Sequence, residues 1–162
     1  MNIFPNTMLK KIVLIVALLL AVLQFIRPPK NQAEENQPND IANVYRTPEE
    51  VQVVLVQKCY DCHSNNTVYP WYSNIQPVGW FLYDHIREGK GHLNFSEFAT
   101  YSEKRKLDKL EEISEAVTEG WMPLDSYLWM HPHSRITPAD SELINSWLQS
   151  LGVSGESESS AQ

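Results

Sequence analysis

Apolar and polar positions alternate in distinct rhythms along this chain, and each change of rhythm predicts an element. Ile12 to Ile26 is nearly all Ile, Val, Leu and Ala, with Lys10 and Lys11 before it and Arg27 and Lys30 after it. This predicts an N-terminal membrane helix within residues 1–27. Its fifteen residues fall short of the roughly 20 that span a bilayer, and the flanking Lys and Arg extend it by snorkelling. The run ends Leu23-Gln24-Phe25-Ile26-Arg27-Pro28 without a small-residue cleavage site, so it reads as an uncleaved signal anchor.

Residues 28–46 turn to Pro, Asn, Gln and Glu, a composition too poor in apolar side chains to order itself, and predict a flexible linker. Thr47-Pro48-Glu49-Glu50 then supplies a hydroxyl N-cap, a proline at the first helical position and acids suited to the helix dipole. The helix it starts runs to about Lys58, with Val51, Val54 and Leu55 on the buried face and Val53 and Val56 broadening it. A second helix starts at Pro77, passes through Trp80, Phe81, Leu82 and His85 and is expected to cap at Gly89. The third has Ser102 as N-cap, Leu107, Leu110, Ile113 and Val117 on one face and Gly120 beyond its end; its Lys, Arg and Glu residues form a solvated face. An aromatic and histidine-bearing loop spans Asp125 to Ile136. Thr137-Pro138-Ala139-Asp140 repeats the capping signal for a last helix that buries Leu143, Ile144, Trp147, Leu148 and Leu151 before Gly152. Together these make an all-α chain with one domain at 47–152 and a Ser/Glu tail at 153–162 that is expected to be disordered.

Charge narrows the partners. With 13 basic and 20 acidic residues the formal net charge is -7, which offers no footprint for nucleic acid. An acidic surface suits docking to a basic partner protein as well as simple solubility.

The chemistry is concentrated in Cys59-Tyr60-Asp61-Cys62-His63, which holds both cysteines of the chain. Two thiols three residues apart, with an imidazole next, suit covalent haem attachment: each thiol takes one vinyl group and His63 lies under the iron as proximal ligand. Other readings use the same residues. A structural zinc site needs a fourth ligand, which His131 or His133 would supply; a dithiol redox motif usually accompanies a βαβ pattern; a Cys59–Cys62 disulfide gives His63 no role. Val68-Tyr69-Pro70-Trp71-Tyr72 follows, and Trp71, Tyr72 and Trp80 are candidates for a haem wall, or for ordinary core packing.

A capped helix, a Cys-x-x-Cys-His run, further helices, a Met-Pro loop and a closing amphipathic helix follow the order of small c-type cytochromes. More narrowly, Cys59 to His63, Tyr69-Pro70-Trp71-Tyr72, His92-Leu93-Asn94-Phe95-Ser96, Met122-Pro123-Leu124 and His131-Pro132 resemble the bacterial haem-binding domain family, over about Thr47 to Leu151. The resemblance implies a small helical domain around one covalently attached haem c, carrying iron, exported and tethered to the cytoplasmic membrane on its periplasmic side. Met122 is the favoured distal ligand, because a thioether followed by proline in a loop pairs with a proximal His in cytochromes c. Met130, His92 and His131 are the alternatives, with His85 and His133 behind them. The resemblance carries no defined activity; the chemistry of a protein-held haem points to one-electron transfer with redox partner proteins of the envelope, with no small-molecule substrate. The other reading is a peroxidase-like haem enzyme or a gas or redox sensor with an open sixth iron position.

Overall fold

The computed structural model describes residues 6–33 and 36–153. Among them every regular element is helical; an isolated bridge between Gln32 and Asn66 is the nearest approach to a sheet. The eight α-helices are α1 (Asn6–Leu23), α2 (Ile41–Tyr45), α3 (Glu49–Lys58), α4 (Tyr60–His63), α5 (Val78–His92), α6 (Glu103–Glu119), α7 (Asp125–Leu128) and α8 (Pro138–Ser150). Short 3-10 turns lie at Trp71–Asn74, Phe95–Thr100 and Pro132–Ser134. The expected tail falls almost wholly outside the described residues, apart from Val153, which is buried.

The core forms where α3, α6 and α8 meet. Val51, Val54 and Leu55 pack with Leu110, Ile113 and Val117 and with Ile144, Trp147 and Leu148, and Phe95 and Phe98 plug the same cluster from the second 3-10 turn. Each helix contributes residues at i, i+3 and i+4 or i+7, the spacing that keeps one face toward the neighbour. Val53 and Val56 point away from it, and Leu107, expected on the inner face, is exposed. The termini of α6 and α8 follow their capping signals. Ser102 accepts from the Arg105 N–H, Gly120 leaves the helix at φ 72°, and Thr137 and Asp140 exchange hydrogen bonds as a capping box. Thr47 does not cap α3: Pro48 takes that position, and the buried Thr47 hydroxyl makes no hydrogen bond.

Three further expectations are corrected. Gly89 does not cap α5, which continues to His92; the glycine instead allows a close approach, since a Cβ there would stand 2.8 Å from the Cys62 carbonyl oxygen. The described residues of the 28–46 segment are not a slack linker. Ile41 is fully buried in the core, and Asn31 donates through Nδ2 to the Ser64 carbonyl (2.8 Å) and to Thr67 Oγ1 (2.9 Å). Lys90 donates to Asn31 Oδ1, and Ala33 N–H donates to the Asn65 carbonyl. Polar side chains thus order a segment whose apolar content alone would not. Third, no helix among the described residues is long and apolar enough to cross a membrane. The apolar run forms α1, whose 18 residues at about 1.5 Å each reach about 27 Å, against a hydrocarbon core of about 30 Å. Its apolar side chains are exposed on every face.

Candidate functional site

Cys59 closes α3, its N–H donating to the Leu55 carbonyl, and the chain then makes one tight turn. Both Cys62 and His63 donate backbone N–H groups to the Cys59 carbonyl, at 3.2 and 3.0 Å. This turn brings Cys59, Cys62 and His63 to the wall of one cavity of about 800 Å³, within the range of cofactor sites. The wall is chiefly apolar, with Phe81, Leu82 and Ile113 prominent.

The two residues between the cysteines anchor the turn on opposite sides. Tyr60 points inward, stacks on Phe95 with centroids 5.1 Å apart and donates its hydroxyl to Asp40 Oδ1 at 2.9 Å. Asp61 points the other way: its Oδ1 accepts from the Val68 N–H (3.0 Å), its Oδ2 from the Tyr127 hydroxyl (2.7 Å) and its carbonyl from Thr67 Oγ1 (2.7 Å). The attachment turn is thereby tied both to the core and to the loop that carries α7.

His63 Nδ1 lies 3.0 Å from the Leu93 carbonyl, and a carbonyl only accepts, so Nδ1 carries the proton and Nε2 keeps a free lone pair. Burial lowers the imidazole's affinity for a second proton and keeps it neutral. The Phe95 ring meets His63 edge-on at 6.3 Å and 72°, fixing the plane of the imidazole.

Both cysteines are free thiols. Burial pushes Cys59 up to about 12, with the neighbouring Cys62 adding to it, and pushes Cys62 up to about 11, with Asp61 adding to it. Neither is therefore a thiolate near neutral pH in the metal-free chain, so neither is activated as the nucleophile a dithiol redox motif needs. Among the described residues no group of three or more His, Cys, Asp or Glu is placed to hold a metal ion. In the haem-free folded chain, iodoacetamide at pH 8 should alkylate these thiols at least about tenfold more slowly than after unfolding in urea. Equal rates, followed by mass spectrometry, would show that the turn is solvated and the shielding wrong.

The remaining expected residues divide. Met122, Met130, His85 and His92 line the cavity, and so does Tyr72. Trp71 is 74% exposed and Trp80 donates its indole N–H to the Ile26 carbonyl at 2.8 Å, so neither walls the cavity. His131 also stands outside it, stacked on Tyr127 with centroids 4.1 Å apart, and its ring lies 3.3 Å from the Tyr72 hydroxyl. His133 is exposed, and its carbonyl accepts from Lys58. Sequence reasoning missed Tyr60, Asp61, Leu93, Phe95 and Tyr127. The available signal was the pair inside the motif, a tyrosine and an aspartate where the chemistry of attachment asks for no particular residue.

A family model described as a haem-binding domain matches residues 18–150. No curated protein and no solved structure matches the chain.

Proposed function

The chain belongs to the haem-binding domain family, and from that premise we propose that Cys59 and Cys62 hold one haem through thioethers, with His63 as its proximal ligand. One observation carries the reading: both thiols and an imidazole with Nε2 free converge from a single turn on one apolar cavity. The donor set fits the group, because a proximal ligand needs a neutral imidazole whose far nitrogen is held by a carbonyl, and the Leu93 carbonyl supplies that.

When bound, the haem supplies an iron centre that gains and loses one electron. The chain's part is to position and shield it. Leu93 and Phe95 fix the imidazole, the α5 and α6 side chains exclude water, and Met122 offers a thioether from the loop after α6. We assign the protein to one-electron transfer with envelope partner proteins, at the extracytoplasmic face of the cytoplasmic membrane with α1 as its anchor. Lys10 and Lys11 before the apolar stretch of α1 and Arg27 after it suit lipid headgroups beside an apolar helix that enters the bilayer without crossing it.

A second reading draws on His85 and His92, which also line the cavity and would serve a haem enzyme or sensor as polar groups near the iron. The ferric absorption spectrum separates the two. Methionine ligation should give a low-spin spectrum with a weak charge-transfer band toward the red, lost when Met122 is replaced by alanine. A high-spin spectrum that shifts with cyanide would instead favour the enzyme or sensor, and an unchanged band in Met122→Ala would remove Met122 from the iron.

A further inference from the structure

Where α1 meets the domain, the polar atoms of the chain turn inward. Gln24, the polar residue within the apolar run, donates from Nε2 to the Gln76 carbonyl at 3.1 Å and accepts the Gln76 N–H on Oε1 at 2.9 Å. Two residues on, the Ile26 carbonyl accepts the Trp80 indole N–H at 2.8 Å. These bonds, with the Asn31 contacts described above, join α1 to α5 and the first 3-10 turn without a slack segment between them.

The residues that flank these bonds carry large, exposed apolar side chains, and so does the first 3-10 turn, whose Ser73 and Asn74 line a cleft together with Arg27. Phe25 is 88% exposed, Trp71 74%, Ile26 58% and Ile75 46%. Beside them Arg27 and Lys30 border this cleft of about 70 Å³, which Tyr69 and Tyr83 also line. Two cations thus stand together on a chain whose net charge is -7. An exposed apolar patch with a tryptophan and cations at its rim has the composition of a surface that meets both the acyl chains and the phosphates of a bilayer.

We propose that this junction, with Phe25, Ile26, Trp71 and Ile75 at its centre, seats on the interfacial layer of a phospholipid bilayer and holds the haem domain at a fixed attitude to it. The proposal rests on the membrane reading of α1 given above. Lipid is favoured over a protein partner because α1 is apolar and exposed all round, and a partner helix buries only one stripe of its neighbour. The exposed apolar side chains of α1 run on in sequence through Leu20 and Val22 to Phe25 and Ile26.

The test uses the haem-loaded full chain reconstituted into phosphatidylcholine–phosphatidylglycerol vesicles containing lipid brominated just below the headgroup. The emission of Trp71 is obtained as the difference between the wild type and Trp71→Phe. Seating predicts that bromination removes a clear part of that difference, because an interfacial tryptophan sits at headgroup depth beside the bromines. A second variant, Gln24→Ala with Trp80→Phe, cuts the bonds at the junction and should stay with the vesicles while losing the quenching. Vesicle-bound protein whose Trp71 is unquenched overturns the seating but leaves the anchor standing. Protein that remains in solution overturns the membrane reading itself, and quenching that survives the second variant overturns the fixed attitude.

Discussion

A chain with serine at both Cys59 and Cys62 is expected to fold, yet to lose all of its haem in denaturant, whereas the wild type keeps haem on a denaturing gel. The thiols are half-buried and exchange no hydrogen bonds with neighbours, so oxygen for sulfur removes the bonding partner of the vinyl groups and little else. The cost to the fold should stay near the 0.5–3 kcal/mol of an ordinary substitution. His63, Leu93 and the apolar wall remain, so this variant should still take up haem reversibly under native conditions. Haem staining after denaturing electrophoresis reads covalent attachment, and far-ultraviolet circular dichroism reads the fold. Either single replacement leaves one thioether and should keep the stain. Haem that leaves the wild-type protein in denaturant would sink the attachment argument, whatever the family.

The second large effect is expected at Phe95. Its ring is 1% exposed, stacks on Tyr60 at 5.1 Å and meets His63 edge-on, so it belongs to the core and to the site together. Phe95→Ala should cost about 3–5 kcal/mol, a large share of the roughly 5–15 kcal/mol that holds a domain of this size. Phe98 is a built-in control. It is also fully buried but packs against Tyr45 and Tyr101, away from His63. Urea titrations of the haem-loaded proteins should show comparable losses for Phe95→Ala and Phe98→Ala. The ferric spectrum should change only for Phe95→Ala, because there alone the imidazole loses its lateral support. A Phe95→Ala variant within 1 kcal/mol of wild type would mean that this cluster relaxes around the gap and that the ring is not a keystone.

How much of this was legible in the sequence follows the range of the interactions. The attachment motif, the caps of α6 and α8 and the inner faces of α3, α6 and α8 depend on residues three or four apart, and local spacing reveals them. Leu107 shows the limit of that logic, since it keeps the helical period yet is exposed. Gly89 has the composition of a cap but serves a close approach to Cys62, and no local pattern separates the two. The ordering of the described residues between 28 and 46 depends on Asn31, Asp40 and Ile41 meeting partners tens of residues away; Tyr60 reaches Asp40 across 20 residues and Lys90 reaches Asn31 across 59. Composition predicted a tether because it counts apolar side chains and not polar partners. Trp71 and Trp80 were misplaced for a similar reason: aromatic content marks a surface that is covered by something, without saying whether by cofactor, core or other contacts.

The two anchors of the attachment turn also differ in kind. On the Tyr60 side it is held by stacked rings within the buried core, so releasing it means opening the protein as a whole. On the Asp61 side the loop of residues 121–136 is latched by a few polar bonds: the Tyr127 hydroxyl to Asp61, Lys58 Nζ to the His133 and Arg135 carbonyls, and Ser134 Oγ to the Gln57 carbonyl. Breaking that latch costs far less than global unfolding, which makes this loop a low-energy opening unit beside a rigid one. In hydrogen-exchange terms the amides around Tyr127 belong among the early exchangers and those of α3 among the last. A flat, rigid prosthetic group would therefore enter past the latch and come to rest against the wall that does not move.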